Sequence, residues 1–258
     1  MPQVEMFRGQ VVLVTGAGKG IGRWLARAFA AAGACVAAND VTEVNLVETV
    51  AQITAAGGTA RMYLADQAKS FPVQAMLAQI LEDWGRIDIV VVNAAVVPQA
   101  EILGMDEWDY QRSLEVNLAG PFWLLQAAGS AMQAAGSGTF LFVGADPGWV
   151  SRLRRAAAYR ATQWGLWGLL QAAAAEFQAY NIRVHGLCLG PVTGALGTAN
   201  PADVPRDWTH ADDTAPDSME QVAVQALFLC SPQASSLHGR IITAGSGREI
   251  CLETKSLS

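Results

Sequence analysis

Four glycines at alternate positions follow a short apolar run near the start of the chain, and the loop that contains them suits a phosphate group. The run is Val11–Thr15, and the loop reads Gly16-Ala17-Gly18-Lys19-Gly20-Ile21-Gly22. Glycine permits a tight turn and lets the backbone approach a diphosphate closely. A helix that begins within the loop would direct its free N–H groups toward the anion. The pattern predicts a dinucleotide site formed by Gly16, Gly18, Lys19, Gly20, Ile21 and Gly22.

Asp40 ends the second β-rich run, eighteen residues after Gly22. A carboxylate at that point accepts hydrogen bonds from the ribose hydroxyls of NAD and repels the additional phosphate of NADP. The predicted cofactor is therefore NAD. A glycine turn kept only for packing, with Asp40 idle, is the alternative that the spacing leaves open.

These residues require a sheet to position them, and the chain alternates β-rich runs with segments of helical spacing. The strands are almost continuously apolar, which is typical of a parallel sheet covered on both faces. We therefore predict an α/β fold, a Rossmann-type doubly wound seven-stranded parallel sheet flanked by helices, as one domain over residues 1–258. The predicted strands are Val11–Thr15, Cys35–Asn39, Ala60–Leu64, Ile87–Asn93, Thr139–Val143, Ile182–Leu187 and Arg240–Thr243. The predicted helices are Ile21–Ala32, Asn45–Ala56, Phe71–Trp84, Met105–Ala134, Ala156–Ala179 and Met219–Leu229.

Four segments resemble motifs of the short-chain dehydrogenase/reductase family, and the resemblance spans almost the whole chain. They are the loop Thr15–Gly22, Asp66 after the third strand, Val92-Asn93-Ala94-Ala95, and Val116-Asn117-Leu118-Ala119-Gly120. The resemblance implies that Asp66 holds adenine and that Asn93 and Ala94 belong to the cofactor site. It also implies that Asn117 is the family's catalytic asparagine.

The family's chemistry uses a Tyr, a Lys, a Ser and an Asn, and this chain keeps two of the four. By the resemblance Tyr159 exchanges the hydroxyl proton of the substrate, but Gln163 stands where the Lys is expected and Asp146 where the Ser is expected. The Lys would lower the phenol pKa from about 10 through its opposite charge, which a neutral amide cannot do. An ionised Asp146 accepts hydrogen bonds only and would raise the pKa of a nearby phenol.

Two further departures lie at the nicotinamide end of the expected cofactor site. Leu189 replaces a family proline, and Gly194 stands where a threonine usually contacts the nicotinamide carboxamide. The resemblance therefore supports the adenosine half of NAD better than its nicotinamide half. Weak or absent NAD binding stays open.

Basic residues precede Tyr159 in a segment that, in this family, borders the substrate cleft. They are Arg152, Arg154 and Arg155, with Arg160 one residue after the tyrosine. Arginine clusters suit carboxylates or phosphates, so an acyl-CoA or a dicarboxylate is one interpretation. A salt-bridged subunit surface and a solvated turn are the others. The loop Val192–Ser218 corresponds to the family's substrate lid and does not reveal the substrate.

Aromatic residues on two predicted helices indicate an oligomer. Trp164, Trp167 and Leu170 share helical spacing, and Trp123 and Leu124 lie on the preceding helix. In the family these two helices form a subunit interface, and aromatic residues are enriched in interface cores. A homo-oligomer, or a hetero-oligomer with a related active subunit, is therefore expected by resemblance. The alternative is that the tryptophans pack against the chain's own sheet.

Composition excludes several classes of protein. Apolar residues make up 52% of the 258 and charged residues 16%, which indicates a globular chain. The net charge of −6 argues against a nucleic-acid partner, and no apolar run is long enough for a membrane span. No signal peptide is recognisable, and the four cysteines lack metal-ligand spacing. A cytoplasmic protein with reduced thiols and no metal is expected.

Three functions are consistent with these residues. The first is a catalytically impaired subunit that pairs with an active NAD-dependent alcohol dehydrogenase, as in hetero-oligomeric hydroxyacyl-CoA dehydrogenases of the family. The second is an active NAD(H)-dependent oxidoreductase of secondary alcohols or ketones that uses Tyr159 and Asn117, with Asp146 protonated by burial. The third is an NAD-binding sensor.

Overall fold

Seven parallel strands form one sheet in the order β3-β2-β1-β4-β5-β6-β7 in the computed structural model of the protein. The structure describes residues 5–151, 153–190 and 219–244, and for residue 149 it describes the backbone alone. The predicted fold class is confirmed. Strand order reverses beside β1, whose neighbours are β2 and β4, so a crevice opens at the carboxyl ends of β1 and β4. The strands are β1 Val11–Thr15, β2 Cys35–Asp40, β3 Thr59–Leu64, β4 Ile89–Val92, β5 Gly138–Ala145, β6 Ile182–Leu189 and β7 Ile241–Thr243.

Helices cover both faces of the sheet and account for the alternation of the sequence. They are α1 Gly20–Ala31, α2 Glu43–Ala55, α3 Ser70–Trp84, α4 Glu107–Leu114, α5 Gly120–Ala135, α6 Pro147–Val150, α7 Ala157–Phe177 and α8 Met219–Cys230. Short 3-10 turns occur at Ile102–Gly104, Gln178–Tyr180 and Pro232–Leu237. The boundaries of α1, α2, α3, α7 and α8 lie within a few residues of the predicted ones, whereas α6 and the 3-10 turns were not predicted.

The predicted helix Met105–Ala134 is wrong in one respect, because a π turn at Glu115–Ala119 separates α4 from α5. The N–H of Gly120 bonds to the carbonyl of Glu115, five residues back, instead of four. Pro121 has no N–H to donate to the carbonyl of Asn117, which favours the wider turn. The π turn presents Asn117 toward the interior of the molecule, where this residue is 2% exposed.

The core lies in two layers, one on each face of the sheet. Val12 and Val14 of β1 belong to the layer that also holds Leu25 and Phe29 of α1. Leu13, between the two valines, belongs to the opposite layer. The side chains of a strand alternate between the two faces of the sheet, and both faces are covered here. All five residues of β1 are therefore buried, which explains its almost continuous apolar sequence.

Arg183 joins three elements at the amino-terminal edge of β6. Its guanidinium donates to the carbonyls of Cys230, the last residue of α8, and of Ser231, and to the hydroxyl of Thr139 on β5 at 2.8 Å. The last carbonyls of a helix lack intrahelical donors, and a cation there also opposes the negative end of the helix dipole. Arg183 therefore fastens α8 to the sheet.

We predict that Arg183→Met lowers the free energy of unfolding by about 2–4 kcal/mol, because it removes the donor to the Cys230 carbonyl and to the Thr139 hydroxyl and one of the two donors to the Ser231 carbonyl. Denaturant unfolding followed by circular dichroism measures the change. Arg8→Met is the matched control, since the Arg8 side chain is 78% exposed and pairs only with Glu5 three residues away. The control should change stability by less than about 1 kcal/mol. Equal effects of the two substitutions would contradict the role of Arg183.

Candidate functional site

The glycine loop requires glycine at three positions, one for its backbone conformation and two for close contacts. Gly16 has a φ of +65°, in the left-handed region. A Cβ on Gly22 would lie 2.0 Å from the carbonyl oxygen of Gly16, and a Cβ on Gly18 would lie 2.7 Å from Oδ2 of Asp40. Lys19 precedes α1, and no side chain caps the first N–H groups of that helix. The loop therefore keeps the shape and the free donors that a diphosphate requires.

Thr15 and Asn93 join the carboxyl ends of β1 and β4 beside this loop. The Asn93 side-chain amide donates to the carbonyl of Thr15 at 2.8 Å. The N–H groups of Asn93 and Ala94 both donate to the Thr15 hydroxyl, at 3.0 and 3.1 Å. Asn93 and Ala94 thus lie at the carboxyl ends of β1 and β4, and their part in cofactor binding stays a prediction.

The carboxylate of Asp40 lies directly against the glycine loop. Its Oδ2 accepts from the N–H of Gly18 at 3.0 Å, and its Oδ1 accepts from the N–H of Thr42 at 3.0 Å. A carboxylate has about four lone-pair sites, so two bonds leave acceptors for a ribose diol. Asp40 is therefore held by the backbone in an orientation that fits its predicted role.

Arg23 holds the other side of the loop, and sequence reasoning missed it. Its Nε donates to the carbonyl of Gly18 at 2.9 Å and to the hydroxyl of Thr49 at 3.0 Å. Its Nη1 pairs with Glu48 at 2.7 Å. The signal was available, because Arg23 directly follows the fourth glycine, where a side chain from the first turn of a helix can reach back to the loop.

Asp66 is paired with Arg112, a contact that the sequence did not reveal. The guanidinium donates to both carboxylate oxygens, at 2.9 and 3.2 Å, and the N–H of Ala68 donates at 3.0 Å. Burial by itself would raise the pKa of Asp66, but these donors outweigh it and the pKa lies below its ordinary value. Asp66 therefore stays ionised and fixed at the predicted adenine end of the crevice.

The residues at the diphosphate and adenosine end therefore fit a dinucleotide. The fit rests on a loop in which Gly18 admits no side chain and on an oriented Asp40. At the predicted nicotinamide end, the surroundings of Tyr159, Gln163 and Asn117 differ from those of a typical catalytic site.

Tyr159 lies in the first turn of α7 and is only partly exposed. It packs with Val97 against a small apolar cluster formed by Val150, Leu153 and Ala156. Burial raises the pKa of its phenol above the ordinary value of 10, and the nearby Cys188 adds to the increase. The Cys188 thiol in turn donates to Oδ2 of Asp146 at 3.7 Å. The phenol is thus in surroundings that favour its protonated form.

Gln163 is 2% exposed and serves the fold. Its Oε1 accepts from the N–H of Ala145, the last residue of β5, at 2.7 Å. Trp167, one turn later on α7, donates from Nε1 to the carbonyl of the same residue at 3.2 Å. We call this pair of bonds the Ala145 clamp. A lysine at position 163 has no acceptor and could not make the first bond.

The side-chain amide of Asn117 forms two hydrogen bonds with the backbone of Val96. Its Oδ1 accepts from the N–H of Val96 at 2.8 Å, and its Nδ2 donates to the carbonyl of Val96 at 2.8 Å. Nδ2 also donates to the hydroxyl of Thr162 at 3.1 Å. Asn117 therefore fixes the segment after β4 to α7, and Thr162 is a second residue of the site that sequence reasoning missed.

Other polar residues lie away from these three. His185 is buried on β6, where its Nδ1 lies 3.0 Å from the carbonyl of Leu237, and burial lowers its pKa to about 4. Gly194, Arg152, Cys251 and the predicted lid lie outside the described residues. In the part of the chain that the structure describes, no three His, Cys, Asp or Glu side chains are grouped as metal ligands would be. None of the helices described there is long and apolar enough to cross a bilayer.

Comparisons with known proteins agree with this geometry. The sequence profile of the family described as short chain dehydrogenase matches residues 10–205. An uncharacterized oxidoreductase from Thermotoga maritima is 33% identical over 248 residues, which are 93% of this chain and 98% of the relative. D-threitol dehydrogenase from Mycolicibacterium smegmatis is 32% identical over 94% of each chain. The crystal structure of a metagenomic short-chain oxidoreductase in complex with NADP has a TM-score of 0.74 at 28% identity, covering 87% of this chain and 92% of that one. With the sheet order, the glycine loop and these likenesses together, the chain belongs to the short-chain dehydrogenase/reductase family.

Proposed function

We propose that this chain is a nucleotide-binding subunit whose own hydride transfer is impaired, and that it is the structural partner of an active NAD-dependent alcohol dehydrogenase subunit. The observation that carries the proposal is the bond from the Ala145 N–H to Gln163 Oε1. It occupies the side chain at the position where the family has a cation. The hetero-oligomeric 2-[hydroxy(phenyl)methyl]succinyl-CoA dehydrogenase of anaerobic toluene degradation, with one pseudoenzyme subunit, is the arrangement that this chain resembles.

The chemical consequence concerns a single proton. Alcohol oxidation requires a base that takes the hydroxyl proton, and a phenol with a raised pKa stays protonated at neutral pH. Tyr159 then donates a hydrogen bond but removes no proton. An ionised Asp146 would repel the alkoxide that develops on the substrate. Loss of both the pKa-lowering charge and the oxyanion partner costs several orders of magnitude in rate.

The cofactor of this proposal is NAD, which supplies the hydride-accepting ring when bound. The glycine loop would hold its diphosphate, Asp40 its adenosine ribose and Asp66 its adenine. Asp40 supports NAD over NADP, because the fixed carboxylate would face the additional phosphate of NADP. The adenosine end is the better formed, so binding without efficient turnover is the expected behaviour.

An apolar groove supports the partner role. It has a volume of about 440 Å³ and is bordered by α4, the π turn, α5 and α7. Its lining is apolar apart from Glu115, which pairs with Lys69 at 2.9 Å. Phe122 in the groove is 46% exposed, and Trp164 on α7 is 50% exposed. Trp167 is buried and faces the sheet, so the sequence expectation for the tryptophans divides between the two surfaces.

A second candidate function is an active oxidoreductase that acts without a partner. Tyr159 is present at the family's position on α7, and D-threitol dehydrogenase, a relative 32% identical, is named for the oxidation of a polyol. In this case a protonated Asp146 would donate to the substrate oxygen. The two candidates differ in the activity of the isolated chain.

We predict that the isolated chain oxidises secondary alcohols, D-threitol among them, at least about a thousandfold more slowly than an intact family member. Asp146→Ser combined with Gln163→Lys should raise the rate by at least about tenfold and move the pH profile of kcat toward neutrality, because the added cation lowers the phenol pKa. Asp146→Ser combined with Gln163→Met is the matched control, since it also removes the bond from the Ala145 N–H to position 163 but adds no charge. Rapid turnover by the unaltered chain that Tyr159→Phe abolishes would overturn the proposal.

We predict that calorimetric titration shows NAD binding at least about tenfold more tightly than NADP. Asp40→Ala should reduce this preference severalfold, because it removes both the ribose acceptor and the repulsive charge. Glu43→Ala, three residues later at the start of α2, is the control for a general loss of negative charge. A preference of the unaltered chain for NADP would refute the assignment of Asp40.

We predict that co-expression with an intact member of the family gives a stable mixed complex that contains this chain. Phe122→Glu should disrupt it, because a charge would be buried in the groove without a partner. Phe71→Glu is the control, since Phe71 is 78% exposed on α3 and does not line the groove. Size-exclusion chromatography with light scattering measures the assemblies. Formation of self-assemblies alone would contradict the partner role.

A further inference from the structure

Three arginines surround the start of α7, beside Tyr159. Arg154 and Arg155 are exposed in the segment that leads into the helix, and Arg160 is half-buried in its first turn. The N–H of Ala100 donates to the carbonyl of Arg155 at 3.0 Å, so this segment runs along the chain that leaves β4. We call Arg154, Arg155 and Arg160 the arginine patch. It adjoins Tyr159, which packs with Val97 against Ala156 and its apolar neighbours.

The charges of the arginine patch are not balanced by the part of the protein that the structure describes. None of the three forms an ion pair there, whereas Arg8, Arg23, Arg61, Arg86 and Arg112 all do. Residue 156 caps α7 without a side-chain bond, and the first turn has no acidic residue. A cation at a helix N-terminus opposes the helix dipole. An anion bound beside the three guanidinium groups would offset these charges.

Arg155 adds a conformational cost to the electrostatic one. Its φ is +56°, and outside glycine it shares this left-handed conformation only with Asn181 among the described residues. The left-handed region is unfavourable for a residue with a Cβ, and Asn adopts it more readily than Arg does. Strain kept at one position together with unpaired charge is a feature of binding sites. A glycine at position 155 would relieve the strain and would remove the cation.

We infer that the arginine patch binds a phosphate or diphosphate group on a long substrate whose reacting end lies near Tyr159. Two observations favour phosphate over a single carboxylate. Three guanidinium groups and a helix N-terminus carry more positive charge than one carboxylate neutralises, and arginine matches phosphate oxygens in bidentate geometry. Arg154 and Arg155 are exposed, which suits a charged group of the substrate that is remote from the reacting carbon. The patch thus favours a phosphate-bearing substrate, such as the acyl-CoA considered from the sequence, over one with a single carboxylate.

The inference rests on the proposed function only in taking the crevice beside Tyr159 as the substrate site. The test therefore uses equilibrium binding and no turnover, so that its failure is distinguishable from a failure of the impaired-subunit proposal. Inorganic diphosphate and glutarate are titrated into the full chain by calorimetry at two ionic strengths. The variants are Arg154→Gln with Arg160→Gln, and Arg155→Gly, with Arg8→Gln as the exposed control.

The double variant should bind diphosphate at least about tenfold more weakly and with a shallower salt dependence, while the control is unchanged. Arg155→Gly should weaken binding severalfold and raise Tm by about 1–3 °C, because it removes strain as well as charge. Diphosphate held by the glycine loop would be insensitive to these variants, so unchanged affinity overturns the inference. Tighter binding of glutarate than of diphosphate would overturn the assignment to phosphate. A lowered Tm of Arg155→Gly with unchanged affinity would show that Arg155 serves the fold alone.

Discussion

The hydrogen bond between the Ala145 N–H and Gln163 Oε1 couples the stability of this protein to the chemistry of its crevice. The bond lies in a buried position where β5 meets α7, and Trp167 fixes the carbonyl of the same residue. A buried N–H that loses its acceptor costs about 1–3 kcal/mol. A cation at position 163 could acidify Tyr159 only by giving up that acceptor. One side chain cannot meet both demands, and in this chain it meets the structural one.

The Asn117 side chain likewise bonds the backbone. Its amide makes both bonds that the backbone of Val96 offers, and the π turn that carries it follows from Pro121. These contacts join the segment after β4 to α7. The wall of the crevice is therefore held by residues that occupy catalytic positions of the family. Tyr159 is left in an apolar setting where burial raises its pKa.

The sheet could be predicted from the sequence because each strand is defined locally, by a run of apolar residues that both faces bury. β1 has the predicted bounds for this reason, and β4 is shorter than predicted because Asp88 and Asn93 at its ends use their side chains to bond β1. The glycine loop and Asp40 were equally local. The pairing of Asp66 with Arg112 and the Ala145 clamp were not predictable, since they join residues far apart in the chain that no periodicity relates. Spacing identifies the residue at a catalytic position, but only the fold determines what its side chain bonds.

Two independent demands favour the glycines of this loop, which are packing and nucleotide binding. Gly22 is required by the carbonyl of Gly16 whether or not a nucleotide is present, and Arg23 holds the loop through Gly18. Packing alone would therefore preserve much of the loop. Asp40 is different. The bonds from the Gly18 and Thr42 N–H groups use two of the roughly four lone-pair sites on its carboxylate, which leaves acceptors for a ligand. The two backbone donors orient this carboxylate toward the glycine loop without using all of its lone-pair sites, so the case for a nucleotide rests on Asp40 more than on the glycines.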